Sequence, residues 1–102
     1  MADIAAARQA LYARLLKGSA HTSHAQRRAA FDGTSDSEPV RALIEKVRWH
    51  AHRVTDADIQ QARAAGLTED QLFELTVCAA VGQAGRQYDA ALAALAAVSG
   101  KE

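Results

Sequence analysis

Several residue types are scarce in this chain of 102 residues, and each scarcity excludes a class of protein. With one cysteine there is no internal disulfide, no Cys-x-x-Cys pair and no four-cysteine zinc site. Because 12 basic residues balance 12 acidic ones, the net charge of +0 argues against a basic nucleic-acid clamp or an acidic disordered tail. No run approaches the roughly 18 uncharged apolar residues of a membrane span. We therefore expect neither nucleic acid nor a membrane as a partner.

The first residues and the cysteine content bear on localisation. Residues 1–4 have neither the basic region nor the long apolar core of a secretory signal. A single cysteine fits a reducing compartment, so we predict a cytoplasmic protein. Nine arginines to three lysines, together with 25 alanines, are typical of a GC-rich bacterial gene.

Helical periodicity and helix-end signals recur along the chain, and no segment shows a convincing strand pattern. We therefore predict a single all-α domain over residues 1–102 with about five helices. Gly18 lies at the position where a left-handed residue is expected to end the first helix. Pro39 lies in the first turn of a later helix, where its lack of an N–H removes no helical hydrogen bond. Thr55 caps a short helix with acidic residues in its first turn. The helices predicted before the last one are residues 3–16, about 23–31, 39–53 and about 55–66.

The clearest local signature opens the last helix, where a capping box and a hydrophobic staple coincide. Thr68 and Gln71 form the box, while Leu67 and Leu72 occupy the staple positions. The apolar pattern continues through Tyr88, Leu92, Leu95 and Val98 to Gly100. Since a glycine costs about 1 kcal/mol in a helix interior, a break near Gly82 and Gly85 is the alternative. We expect one long helix of about thirty residues, bent if at all at these glycines.

The sequence from Val54 to Leu95 resembles the C-terminal half of the alkylhydroperoxidase D-like and carboxymuconolactone decarboxylase family. It reads VTDADIQQARAAGLTEDQLFELTVCAAVGQAGRQYDAALAAL. The likeness lies in Val-Thr-Asp before a short helix, Ala-Ala-Gly-Leu-Thr-Glu-Asp opening the long one, a small-residue middle, and Arg86 followed by an apolar stripe. Residues 38–53 are similar to the preceding helix, so the resemblance covers about two thirds of the chain. It implies an all-α domain that assembles as a trimer or a hexamer.

The chain departs from this family at the residues of the peroxidase chemistry. The resemblance implies a Cys-x-x-Cys followed by His, with an upstream glutamate that relays protons. Here Cys78 is alone and lies inside the shared C-terminal helix, and a register that places the thiols near residues 50–54 finds none there. Dithiol chemistry needs one thiolate to attack and a second to resolve the intermediate, so we expect no such peroxidase activity. No complete set of decarboxylase residues maps onto the chain either.

Four residues are weak candidates for a catalytic role: His50, His52, Cys78 and Arg86. Cys78 has apolar neighbours in mid-helix, which favours a buried structural side chain over an activated thiolate. Residues two apart on a helix diverge by about 200°, so a metal ion shared by His50 and His52 is disfavoured. Arg86 interrupts a small apolar stretch and should meet a carboxylate or carbonyl of another helix or subunit. Ligand anchoring is its second interpretation.

The remaining polar groups give weaker signals. His21 and His24 lie in a loop or at a helix start. The four histidines could converge with Glu74 or Cys78 on a metal ion, but no ligand spacing supports this, and we predict neither metal nor cofactor. Arg27 and Arg28 form a basic spot without interleaved aromatic residues, which does not favour nucleic-acid binding.

Small residues form one face of the last helix. This face either lines a pocket for a flat ligand or, as is commoner, lets another helix approach closely. Because alanine buries little apolar area, a monomer of this size would be marginal, and we expect a homo-oligomer. The small residues are Ala79, Ala80, Gly82, Ala84 and Gly85.

These observations leave three hypotheses for function. The leading one is an oligomeric alkylhydroperoxidase D-like protein without the redox dithiol, which has a structural, binding or accessory role, no peroxidase activity and an unknown ligand. The second is an enzyme of the carboxymuconolactone decarboxylase or peroxidase-like class, whose site forms between subunits from His50, His52, Arg86 and Cys78 without a cysteine pair. The third is an interaction module whose helix groove binds another protein.

Overall fold

A computed structural model describes residues 2–100 and places them in five α-helices, with no strand among those residues. The predicted all-α fold with a long last helix is confirmed. None of the helices in this range combines the length and apolarity that a bilayer crossing requires. A 3₁₀ turn over Ala51–Arg53 follows the third helix. The α-helices are α1 Ala2–Lys17, α2 His24–Asp32, α3 Glu38–His50, α4 Asp56–Ala64 and α5 Glu69–Ser99.

Three of the helices begin with a reciprocal capping box, in which side chain and backbone satisfy each other at the first turn. The box predicted at Thr68 is confirmed: Thr68 Oγ1 accepts from Gln71 N at 3.1 Å, and Gln71 Oε1 accepts from Thr68 N at 2.9 Å. These boxes fix where α2, α4 and α5 start. The pairs are Ser23 with Gln26, Thr55 with Asp58 and Thr68 with Gln71.

The core lies where α2, α3 and α4 pack against the first half of α5. Its larger members are aliphatic, and Ile44 and Val40 are almost fully buried. Leu67 packs against the cluster and Leu72 belongs to it, as expected of a staple. The buried residues of the core are Ala30, Val40, Leu43, Ile44, Ala62, Leu72, Leu75, Cys78 and Ala79.

Helix α5 runs unbroken through both of its glycines, as predicted. At Gly82 the reason for glycine is the close approach of α2: a Cβ there would overlap the carbonyl oxygen of Phe31. Helix packing, the commoner interpretation of the small-residue face, is therefore confirmed at this position.

Helix α1 lies alongside α5 and is joined to it by few contacts. Arg8 Nη1 and Nη2 donate to the two carboxylate oxygens of Asp89 at 2.9 and 2.8 Å. Leu16 is buried, whereas Ile4 and Leu11 on the same helix are about half exposed. Beyond Asp89 every residue of α5 is exposed, and the long axis of the molecule reaches 50 Å because α5 extends past the core.

Candidate functional site

The most concentrated group of polar contacts surrounds Glu74, which faces the loop between α1 and α2. Its carboxylate accepts the backbone N–H of Thr22 at 2.9 Å and the Thr22 hydroxyl at 2.7 Å. It also contacts His21, accepting from the backbone N–H at 2.9 Å and lying 2.8 Å from the ring Nδ1. Only 17% of the Glu74 side chain is exposed.

The α1–α2 loop needs these acceptors because it is not part of any helix. The backbone N–H groups of His21 and Thr22 precede the cap of α2 and have no helical partner, so a carboxylate satisfies them. Gln71, one turn before Glu74 on α5, donates to the carbonyl oxygen of His21 at 3.1 Å. Two side chains of α5 thus bind the loop: Glu74 accepts from its backbone N–H groups, and Gln71 donates to its carbonyl oxygen.

These contacts set the ionisation of Glu74 and His21. Burial raises the pKa of Glu74, but the hydrogen bonds from His21 and Thr22 outweigh it and lower the pKa to about 2. The hydrogen bond and charge of Glu74, followed by the charge of Asp70, raise the pKa of His21. Glu74 is therefore a carboxylate at every pH near neutrality.

Arg27, on α2, is the buried cation of the site, with 3% of its surface exposed. Its Nη1 donates to the carbonyl oxygen of Leu15 at 2.9 Å and its Nη2 to that of Thr22 at 3.4 Å. Within residues 2–100 its Nε has no hydrogen-bond partner and its guanidinium has no ion pair. The two arginines of the basic spot do not share a surface, because Arg27 is buried and Arg28 points outward, where it pairs with Asp32.

A cavity of about 170 Å³ lies between the end of α1, the loop, α2 and α5, and we call it the Arg27 cavity. Two arginines and one carboxylate line it together with apolar side chains. At about 30 Å³ per water it has room for five or six non-hydrogen atoms. The lining residues are Arg14, Leu15, Ser19, Ala20, Arg27, Phe73, Glu74, Val77 and Cys78.

Cys78 follows Glu74 by one turn of α5 and is fully buried, which confirms the interpretation as a buried side chain. Burial raises the pKa of its thiol, an effect that the nearby positive charge of Arg27 opposes and that of Glu74 reinforces. The thiol is accordingly protonated near neutral pH and is a weak nucleophile.

His50 and His52 are exposed at the end of α3. The predicted helix to Arg53 is wrong by three residues, because the backbone leaves the α conformation at His50, with φ −149° and ψ 53°. The predicted divergence of the two histidines is wrong for the same reason, since their ring centroids lie 6.2 Å apart. Among residues 2–100 no three His, Cys, Asp or Glu side chains are grouped as metal ligands.

Arg86 meets a carbonyl of another helix, one of the two partners predicted for it. Its Nη1 donates to Phe31 O at 2.8 Å, and its Nη2 to Gln83 Oε1 at 3.0 Å. Gln83 also accepts from Arg48 Nε at 3.1 Å. Because Arg86 and Cys78 are eight residues apart on one helix, about 12 Å separates them along its axis. The four predicted candidates therefore do not form one site within the chain.

Sequence reasoning named Glu74 only as a remote metal ligand and missed its partner Thr22. More than fifty residues separate the two, so no spacing rule relates them. One local signal was present: Glu74 lies between Leu72 and Leu75 and four residues before Cys78, which places a carboxylate on the inward side of α5. A charged residue on such a face requires partners.

Comparison with known proteins identifies no relative. The chain matches no family model, and no curated protein or solved structure is significantly similar to it. The resemblance of residues 54–95 to the alkylhydroperoxidase D-like family stays a prediction.

Proposed function

We propose that this chain is an oligomeric binding protein of the alkylhydroperoxidase D-like type, which holds a small organic anion in the Arg27 cavity and has no dithiol peroxidase activity. The observation that supports this most is the buried guanidinium of Arg27, which lines a cavity without an ion-pair partner among residues 2–100. An uncompensated buried charge is costly, and an anion in the cavity would offset that cost.

The charges around the cavity favour an anion over a cation. Glu74 is the lining residue of negative charge, and its oxygens already accept hydrogen bonds from His21 and Thr22. Arg14 and Arg27 contribute two positive charges to the same lining. A ligand with one carboxylate therefore meets a net attractive charge.

The apolar part of the lining and its size define the rest of the ligand. Leu15, Phe73 and Val77 contribute hydrocarbon surface, which suits a short alkyl chain. The room for five or six non-hydrogen atoms corresponds to propionate or butyrate. We therefore take short-chain carboxylates as the probe class.

The absence of peroxidase activity follows from the thiol chemistry. The sequence has one cysteine, so no second thiol of the same chain can resolve an oxidised Cys78. Burial also raises the pKa of Cys78, which disfavours the thiolate that attacks a peroxide. The enzyme hypothesis gains no supporting contact, because Arg86 is already used by Phe31 and Gln83.

The binding proposal is tested by thermal unfolding in acetate, propionate and butyrate, with sodium chloride at equal ionic strength as reference. We expect propionate and butyrate to raise the midpoint of the wild type. Ala20→Phe, which fills the cavity, should abolish the increase, whereas Ala13→Phe, on the exposed part of α1 outside the lining, should retain it. A carboxylate effect that is equal in both variants, or missing from the wild type, contradicts the proposal.

The proposed absence of dithiol peroxidase activity is tested by an assay of peroxide reduction with a dithiol donor. Wild type and Cys78→Ser should both show no turnover above the buffer rate. Turnover in the wild type that the substitution abolishes would overturn this part of the proposal.

The oligomeric part is tested by light scattering at micromolar concentration. We expect a mass at least twice the 10.9 kDa of one chain, since the core of a monomer is small. A homogeneous species of one chain mass would contradict it.

A further inference from the structure

We infer that two copies of this chain pair through the C-terminal halves of α5, antiparallel and with a two-fold axis at Ala91. The inference rests on the oligomeric state proposed above and specifies its interface. It starts from two surfaces of the same chain that have no partner within residues 2–100: a groove between α1 and α5, and the end of α5.

The first surface is an apolar groove of about 440 Å³, which we call the α1–α5 groove. Its α1 side includes Ile4 and Leu11, both about half exposed. Its α5 side includes small residues, so a helix can approach closely. The lining residues are Ile4, Ala7, Arg8, Leu11, Tyr12, Val81, Ala84, Gly85 and Tyr88.

The second surface is the last part of α5, residues 90–99, which we call the α5 tail. Nine of its ten residues are apolar, none is charged, and all are exposed. Leu95 is 64% and Val98 87% exposed. A helix that is apolar on all sides is normally buried, so this segment requires a cover.

The spacing of residues along α5 relates the groove to the tail. Positions 84, 88, 91, 95 and 98 follow one another at intervals of four, three, four and three, which is the seam of a coiled coil. Positions 84 and 98 each lie seven residues from residue 91, whereas positions 88 and 95 lie three and four residues from it. In an antiparallel pair with its two-fold axis at residue 91, Ala84 therefore opposes Val98 of the second copy, Ala91 opposes itself, and Tyr88 lies within one position of Leu95. The tail of each copy then enters the groove of the other.

Charge and area both fit a second copy of the chain. The sole charged residue from 87 to 99 is Asp89, and Arg8 of the same chain neutralises it with two hydrogen bonds. No unpaired like charges are thus brought together by the pairing. Each tail is a ten-residue helix that would bury half of its circumference in the groove of the other copy. The two contacts together remove on the order of 1,000 Å² from water, which is the minimum for a biological interface.

A two-fold interface restricts the number of copies. The same patch is used by both partners, so the contact closes on itself and yields pairs. A hexamer built from three such pairs satisfies this condition, whereas an isolated trimer does not.

The register is tested by oxidative cross-linking of single substitutions. Ala91→Cys should give a disulfide-linked dimer under mild oxidation, since each new thiol lies beside its own copy. Ala93→Cys, on the opposite side of the same helix, and the wild type, whose Cys78 is buried, should stay monomeric on a denaturing gel. Cross-linking that is equal at positions 91 and 93 would overturn the assigned register.

The interface is tested by light scattering of Leu95→Asp beside the matched variant Ala93→Asp. We expect Leu95→Asp to halve the mass of the wild type, with helical circular dichroism unchanged, and Ala93→Asp to keep that mass. A multimeric wild type whose mass Leu95→Asp leaves intact would refute this interface while the proposed oligomeric state stands. A wild type of one chain mass would refute both, and neither result bears on the carboxylate binding of the Arg27 cavity.

Discussion

The two halves of α5 have similar apolar patterns and opposite surroundings. The first half, up to Arg86, contributes Leu72, Leu75, Cys78 and other residues to the buried core. In the second half, from residue 87 to Ser99, no residue is buried, although Leu92 and Leu95 continue the same periodicity. An apolar stripe therefore specifies a helix and a face to be covered, whereas the rest of the fold or another chain decides what covers that face.

Replacing a leucine by alanine in each half of α5 gives the largest expected difference in the free energy of unfolding. Leu75→Ala should lower the free energy of unfolding by about 2–5 kcal/mol, because Leu75 is 4% exposed and leaves a cavity. Leu95→Ala should cost less than about 0.5 kcal/mol in dilute, unassociated protein, since its side chain is 64% exposed. Urea unfolding followed by circular dichroism measures both. Equal losses would remove the distinction between the halves.

Gly82 and Gly85, near the junction of the halves, give the next largest difference. Gly82→Ala should cost about 2–3 kcal/mol, since its Cβ would overlap Phe31 O, a backbone atom that cannot move alone. Gly85→Ala should be close to neutral, because its Cβ would meet only the side-chain ends of Tyr12 and Arg8, which can move, and alanine favours the helix by about 1 kcal/mol. Thermal unfolding of the two variants provides the comparison, and a tolerated Gly82→Ala would contradict the close packing of α2 on α5.

Glu74 gives a smaller contrast than the leucine and glycine pairs, and its contribution to stability depends on pH. Glu74→Gln should cost about 1–3 kcal/mol at neutral pH, because a carboxylate with several donors is replaced by an amide. The wild-type pKa of about 2 lies below the ordinary value of 4.5, so the stabilisation is present above pH 4.5 and is lost as the pH falls toward 2. The variant should lose less stability over this range. Glu69→Gln, an exposed carboxylate of the same helix, is the control and should change little.

The contribution of His21 to stability changes with pH in the opposite direction to that of Glu74, and it does so at higher pH. Its pKa is raised by Glu74, so its contribution is present below the ordinary value of 6.5 and is lost as the pH rises through the raised value. The contact between the α1–α2 loop and α5 is thus strongest in mildly acidic solution. Titration of the His21 ring by NMR in wild type and Glu74→Gln should show a lower pKa in the variant, and equal values would contradict the ring contact.

What could be predicted from the sequence was local. The box at Thr68 and Gln71 is encoded within four consecutive residues, and the unbroken α5 follows from a periodicity that its glycines do not interrupt. A carbonyl partner for Arg86 could also be predicted, because a guanidinium in an apolar stretch needs a hydrogen-bond acceptor from another element.

What could not be predicted depends on how the helices are oriented. Arg27 and Arg28 are neighbours in sequence, and only the placement of α2 decides which of them is buried. Glu74 and Thr22 meet through the packing of the loop on α5, across more than fifty residues. The end of α3 at His50 has no proline or glycine to mark it, so the sequence pattern continued past the point where the backbone turns.

The contact between Gly82 and the carbonyl of Phe31 has a consequence for finding relatives of this chain. The oxygen that excludes a side chain at Gly82 is the one that Arg86 binds, and Gln83 completes the contact with Arg86. A homologue that keeps this junction needs glycine, an amide and arginine at that spacing. The short pattern Gly-Gln-x-x-Arg in a helix is therefore a geometric search criterion that applies where overall sequence similarity has been lost.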